Sequence, residues 1–555
     1  MAKTKDHCVR SSWPAALLLL ALAAAAKAPA PLPSLFFTSD RCVACHNGIV
    51  TPQGDDISFG TSWRPSMMAN SARDPYWQAS VRRETLVHAA ARPAIENECA
   101  ACHMPMLRYE TKTAGRMAGV FANLPGAGPA AAQSPAGLMA IDGVSCSMCH
   151  QIRKDNLGQR SSFVAGFLVD TKTPLGERQV FGPYEVDKGR QSLMRSSARF
   201  VPVQGPHMRE AELCATCHTL ITEALDAAGR PAGELPEQVP YLEWKHSAYE
   251  GARSCQSCHM PAVETAVPIT GVLGQPRSEV GRHVFLAGNF LMPVILNAGR
   301  KDLWVAALPQ DLEAAARRTV DHLETASARL SIEKCGVGGG RLEALLRVEN
   351  FAGHKLPTAY PSRRAWIHIA VRNGAGDIVF ESGRMKADGS IAGNDNDRDA
   401  GAYEPHYARI ERPEQVEIYE SILGSPEGSV TTVLLTATRY LKDNRLLPDG
   451  FDKAGADADI AVMGGAADDA DFRGGGDRVV YSVDLGGARG PFKVEAELWY
   501  QPVGYRWARN LEQHDTAEAM RFLPYYNAIA KRSAAVLARA TATVAADALG
   551  TRQTK

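Results

Sequence analysis

The sequence predicts an α+β chain in three parts: a loop-rich, mainly helical N-terminal region, an antiparallel β-sandwich-like region and a C-terminal helix. Three observations carry this reading. Between residues 42 and 259 a five-letter phrase recurs, with only fragments of helical periodicity between its copies. From about residue 336 apolar and polar residues alternate over short runs separated by turn signals, the pattern of half-buried strands. The end of the chain, roughly Thr516 to Leu549, is rich in alanine.

At the start of the chain, Lys3, Lys5 and Arg10 precede an apolar run from Trp13 to Ala26, followed by Ala-Lys-Ala and proline-rich sequence. Residues 1–28 therefore read as a secretory signal peptide, cleaved near Ala26 or Ala28. Cys8 lies before the apolar run, which excludes a lipid anchor at its end. No later stretch reaches about twenty apolar residues, so no transmembrane anchor is expected after cleavage. The expected location is the periplasm or the extracellular space of a bacterium.

Residues 29–305 are expected to form the first domain. Its phrases are Cys42-Val-Ala-Cys45-His46, Cys99-Ala-Ala-Cys102-His103, Cys146-Ser-Met-Cys149-His150, Cys214-Ala-Thr-Cys217-His218 and Cys255-Gln-Ser-Cys258-His259. They use ten of the chain's 12 cysteines. C-x-x-C-H is the attachment signature of a c-type haem: the two thiols add to the porphyrin vinyls, and the histidine ligates the iron. A zinc site or redox disulfide also uses C-x-x-C, but neither requires a histidine directly after the second cysteine. The sequence thus calls for five covalently attached haems c.

The intervening segments are rich in Ala, Gly and Pro, as in Gly119 to Gly137, and cannot build a large side-chain core. Porphyrin rings would supply the missing apolar volume, making stability dependent on haem loading. Lys plus Arg and Asp plus Glu both number 61, so charge alone names no partner. Two propionates per haem would turn the loaded protein acidic, which disfavours nucleic-acid binding.

Each motif histidine leaves the far face of its iron open. Among the histidines outside the motifs and the leader, His88, His207 and His246 each lie shortly before a motif, His283 follows the last one, and His354 sits in Gly-His-Lys-Leu-Pro-Thr. A histidine just upstream of a motif is better placed to cap a neighbouring haem than its own. Met68 is a further candidate, because thioether ligation is a normal alternative that raises the potential. His322, His368, His406 and His514 read as ordinary packing or surface residues.

Trp63 to Trp77 (W-R-P-S-M-M-A-N-S-A-R-D-P-Y-W), the two Cys-His-Met-Pro sequences, Tyr241 to His246, Gly281 to Asn289 and Gly353 to Arg364 resemble segments of multihaem cytochromes c related to the hydroxylamine oxidoreductase and tetrahaem electron-carrier class. The resemblance covers most of residues 40–425. It implies that His207, His246 and His283 are distal ligands. In many members a histidine stands where Met68 does. The C-x-x-C-K motif of the nitrite reductase active site is absent from the sequence, and haem number and order differ from those of the octahaem enzymes.

Residues 306–335 are expected as a connecting helix, with Leu312, Ala316, Val320, Leu323 and Leu330 on one stripe. The β-sandwich-like domain is expected over 336–510. Its strands are read at Leu342 to Val348, Ile367 to Val371, Ile378 to Phe380 as a hairpin partner across Asn373 to Asp377, Val416 to Tyr419, Val430 to Leu435, Val479 to Leu485 and Val494 to Tyr500. Residues 511–555 are expected to end in a helix. Asp395, Asp397 and Asp399 and also Asp468, Asp469 and Asp471 form acidic loop clusters, read as solvated loops in preference to calcium sites. Cys335, the remaining thiol of the mature chain, reads as a small buried apolar residue, with an intermolecular disulfide as the alternative.

The reading is an exported pentahaem cytochrome passing electrons between donor and acceptor proteins, with an oligomer left open and no catalytic residues assigned. Electron transfer is favoured over catalysis. The alternative is an oxidoreductase in which one open haem iron acts on a small nitrogen or sulfur compound.

Overall fold

The computed structural model describes residues 35–545; the expected signal peptide and residues 546–555 lie outside them. The chain is α+β. Its motif-bearing part is built of short helices and loops. To these it adds three two-stranded ribbons: Gln179–Gly182 with Val201–Gln204, Leu220–Leu225 with Pro231–Gln238, and Val267–Pro268 with Pro276–Arg277.

The longest helix of the motif region, α1 (Pro75–Val87), starts where the sequence provides for it. Pro75 sits in the first turn, where its missing N–H is no loss, and the Asp74 carboxylate accepts from the N–H groups of Tyr76 and Trp77. A second helix, α2 (Arg92–His103), closes on the Cys99–His103 motif. Apolar clusters here are small and line the walls of a central void. The dominant core lies elsewhere, between two sheets.

After α3 (Pro309–Ala326) come strands β1 (Ala328–Gly338), β2 (Arg341–Asn350), β3 (Arg364–Arg372), β4 (Ile378–Ser382), β5 (Arg409–Ile410), β6 (Ile418–Gly424), β7 (Val430–Thr431), β8 (Arg439–Asp443), β9 (Gly476–Asp484) and β10 (Phe492–Gln501). Helix α4 (Ala517–Ile529) and strand β11 (Ala535–Val544) end the described chain. One sheet has the order β5-β9-β2-β1, antiparallel except for the β5–β9 pair. The other has the order β7-β6-β3-β10-β11, with β4 also on β3 and β8 also on β6. Leu342, Ala344, Leu346 and Val348 of β2 face Ile367, Ile369 and Val371 of β3 and Val494, Ala496 and Leu498 of β10 across one continuous core. Period-two alternation put these residues on one face, and burying that face holds the sheets together.

Three expected elements differ. The connecting helix stops at Ala326, and Leu330, expected on its stripe, is buried in strand β1. Among the described residues the C-terminal helix is confined to Ala517–Ile529. Residues 535–544 are strand, paired antiparallel with β10 from Phe492↔Val544 to Tyr500↔Ala535. Its A-V-L-A-R-A-T-A-T-V sequence alternates with period two, and pairing along an open sheet edge outweighs alanine's modest helix preference. The run Val430 to Leu435 keeps only two strand residues before turning into a 3₁₀ helix at Leu434–Thr436.

The sandwich is grafted onto the motif region. Arg82 of α1 makes a bidentate pair with Glu518 of α4 at 2.9 and 3.0 Å. The Glu84 carboxylate accepts from the N–H groups of Leu434 and Leu435.

Candidate functional site

The motifs sit on helical turns: Cys99–His103 ends α2, Cys146–Cys149 and Cys255–His259 are single turns, and Cys42 and Cys214 lie in the turns Asp40–Val43 and Ala211–Ala215. On a helix, positions i, i+3 and i+4 share a face, so both thiols and the histidine of a motif point the same way. Those of the first four motifs point into one cavity of ≈ 1560 Å³, predominantly apolar. It is lined by both cysteines and the histidine of the first four motifs and by Ser254, Gln256, Ser257 and Met260 at the fifth.

Thiols of different motifs meet across this cavity. Cys42 contacts Cys146, Cys102 contacts Cys217, and Cys214 contacts Cys255, while Cys149 lies near Cys217. In spatial order the first motif neighbours the third, the third the fourth, and the fourth both the second and the fifth. Sequence order is therefore not spatial order.

The imidazoles are oriented by main-chain carbonyls. His46 Nδ1 donates to Ile269 O at 2.6 Å, His103 Nδ1 to Ser71 O at 2.8 Å, and His150 Nδ1 to Phe181 O at 2.6 Å; His259 Nδ1 donates to Leu286 O. A proton held on Nδ1 leaves the Nε2 lone pair free, the tautomer a metal ligand requires. Burial pushes His103 and His218 down to about 4, keeping them neutral.

Two further histidines share this arrangement. His283 Nδ1 bonds Gly281 O at 3.1 Å, and His354 Nδ1 bonds Lys355 O at 2.9 Å; burial again lowers both to about 4. The His283 ring lies 6.3 Å from that of His150, and the His354 ring 6.2 Å from that of His259, centre to centre, with 13° between the planes in each pair. Two imidazoles gripping one ion end to end, each through a bond of about 2 Å, place their ring centres roughly 6 Å apart. The residues present thus fit haem iron at the third and fifth motifs.

The remaining candidates are placed differently. His88, His207 and His246 turn Nε2 to Thr436 Oγ1 (3.2 Å), Ile152 O (2.9 Å) and Asp452 O (3.1 Å). For His88 and His207 it is Nδ1 that is buried without a partner. Met68 is half-buried on the cavity wall, and its main-chain oxygen accepts from Val144 N. His46 has Phe59 near-parallel at 5.9 Å, and His103 is stacked on Trp77 at 4.3 Å. Among the described histidines only His283 and His354 stand across from a motif imidazole at the end-to-end spacing.

The acidic cluster at 395–399 is consumed by the protein. Asp397 takes Arg364 in a buried bidentate pair, Asp395 takes Arg398, and Asp399 accepts from Gly401 N. Cys335 is half-buried on β1 beside the main core. Sequence reasoning did not find the carbonyls that orient the imidazoles, since residues as remote as His46 and Ile269 meet only in the folded chain.

No protein-family model matches the chain, and no curated protein matches it by sequence. Among solved structures, a penta-heme cytochrome c552 from Thermochromatium tepidum is similar in fold, with a TM-score of 0.50 and 14% sequence identity. The match covers 92% of this chain and 100% of that one.

Proposed function

We propose that the protein is an exported multihaem c-type cytochrome that carries electrons between a donor and an acceptor protein. The observation that carries this is the convergence of four C-x-x-C-H motifs on one apolar cavity, with the fifth at its edge and thiols of different motifs in contact. When bound, five haems would supply one-electron chemistry, and ligand identity, hydrogen bonding and burial would set their potentials.

The chain's own part is to hold and orient. The ten motif cysteines would anchor the haems and the motif histidines would ligate them, and the carbonyls of Ile269, Ser71, Phe181 and Leu286 hold four of these imidazoles with Nε2 forward. His283 is assigned as the distal ligand at the third motif and His354 at the fifth. Met68 remains the cavity-wall candidate for a further position. His88, His207 and His246 would have to release their Nε2 partners to serve. The thiol contacts support a branched path, first to third to fourth motif, with the second and fifth both adjoining the fourth.

Mass spectrometry of the mature protein is the test: five haems per chain and a shortened N terminus are expected, and four or fewer in a fully matured sample would reject the reading of one motif. The second reading, an oxidoreductase with an open iron, is favoured by one observation. The motif histidines His46, His103 and His218 lack an opposed imidazole among the described residues. Binding of carbon monoxide or nitric oxide to the reduced protein would support it; a fully low-spin, unreactive protein would dismiss it. Among the described residues no helix is long and apolar enough to cross a membrane.

A further inference from the structure

At one end of the sandwich, far in sequence from the motifs, four segments bring polar groups into a buried site. His406 precedes β5, Glu417 precedes β6, Asp477 lies in β9, and Asp469 lies in the loop between β8 and β9. The side chains of His406, Glu417 and Asp477 are nearly or fully inaccessible, and Asp469 keeps 11% exposure. Three carboxylates thus share one imidazole. Lys453 makes no ion pair with them; its ammonium bonds the main-chain oxygens of Ala466 and Asp469. Buried carboxylates in such excess require a cation or bound protons. A second observation is independent of the charges. The Tyr481 hydroxyl, on the same face of β9 as Asp477 and within the electrostatic reach of Asp477 and Glu417, is fully buried with no hydrogen-bond partner.

We infer that His406, Asp469 and Asp477 bind a divalent transition-metal ion of the zinc type. One ligand atom from each lies within 4.8 Å of the others, and His406 Nε2 is 3.1 Å from Asp469 Oδ2. Ligand atoms around a tetrahedral ion with bonds of about 2.1 Å stand roughly 3.4 Å apart, so the set closes on an ion with a contraction of at most about 1.4 Å along any edge. The surroundings are those of a ligand set. His406 Nδ1 donates to Glu417 Oε1 at 2.9 Å, and Glu417 is itself held by Asn444 Nδ2 at 2.8 Å and Tyr407 N at 2.5 Å. This carboxylate–histidine arrangement orients the ring and leaves Nε2 for the ion. Asp477 is steadied by the Tyr419 hydroxyl at 2.9 Å and by Arg478 N at 2.7 Å. A nitrogen with two carboxylates suits zinc; calcium takes six to eight oxygens, which this site does not offer. The ion would pin three chain segments at the end of the sandwich and, through His406, the Glu417 segment, entering past the Asp469 loop.

The test uses the haem-loaded protein, stripped of loose metal with a chelator and titrated with zinc sulfate. One equivalent of zinc is expected to be retained through gel filtration, with a rise in Tm and X-ray absorption showing nitrogen and oxygen neighbours without sulfur. Asp469→Asn, at the most exposed ligand, and Glu417→Gln are each expected to weaken binding about 10–100-fold while the haem spectrum stays unchanged. No retained zinc, sulfur in the zinc shell, or equal retention by Asp469→Asn would overturn the site and leave a protonated ion-pair cluster. Since the readouts are zinc stoichiometry and coordination, they do not depend on the electron-transfer reading.

Discussion

At the scale of single residues, the tautomer lock separates the histidines. His283 and His354 hold their proton on Nδ1 against a carbonyl, whereas His88, His207 and His246 engage Nε2 with a hydroxyl or carbonyl of the protein. On the proposed ligation, His354→Ala converts one low-spin iron to high-spin and opens it to carbon monoxide, with the haem count unchanged. His207→Ala, as the matched control, leaves the electron paramagnetic resonance spectrum as it was. An unaltered spectrum in the His354 variant would remove the ligand assignment and leave the sandwich as a docking module. For Met68 the expected outcome of Met68→His is a lowered potential at one haem and loss of a sulfur-to-iron absorption at the red edge. If all potentials stay put, the side chain is packing.

At the scale of elements, α1 carries Trp77 onto His103 and Glu84 onto the sandwich, so its N-terminus matters. Burial pushes Asp74, the residue capping it, up to about 6, against an ordinary value near 4. A folded-state value above the unfolded one means stability that is fully present below about pH 4 and lost as pH rises through about 6. Asp74→Asn keeps a capping oxygen while removing the buried charge. Its Tm is therefore expected to fall less than the parent's between pH 4 and 6.5 and to be no lower than the parent's at pH 7.5. Asp74→Ala, which deletes the cap, is expected to cost about 1 kcal/mol. A Tm drop of several degrees in the Asn variant at pH 7.5 would mean that the charge at the helix end outweighs its burial.

At the scale of the whole molecule, the joint between motif region and sandwich is a buried ionic network beside His354. Lys355 Nζ meets Asp443 at 2.7 Å, Arg445 is bidentate to Asp443 at 2.7 and 2.8 Å, and Arg445 reaches Glu243 at 3.0 Å. Glu243 lies three residues before His246 and accepts from Lys355 N and the Thr358 hydroxyl. Asp443→Ala would leave the buried Lys355 without its carboxylate and Arg445 with Glu243 alone, at a cost of about 3–5 kcal/mol. Calorimetry should record that loss and, in the parent, one cooperative transition for both regions. Two separated transitions in the parent would show that the joint does not couple them. Removing haem by blocking maturation should abolish the folded motif region, whose own apolar clusters are small.

The sequence by itself determined the chemistry and the local patterns. Cysteine and histidine at fixed spacing define an attachment site wherever the turn lies, and the alternation of Leu342, Ala344, Leu346 and Val348 specifies a strand face without reference to its partner. The helix over 309–326 was legible for the same reason, since its stripe recurs within the segment. Only the tertiary structure decided which motif neighbours which, that His283 faces His150 and His354 faces His259, and that residues 535–544 are strand. Those outcomes depend on contacts between residues scores to hundreds of positions apart. The free energy of ring orientation, sheet-edge pairing and buried charge arises only when those partners meet, and no window of local sequence contains both.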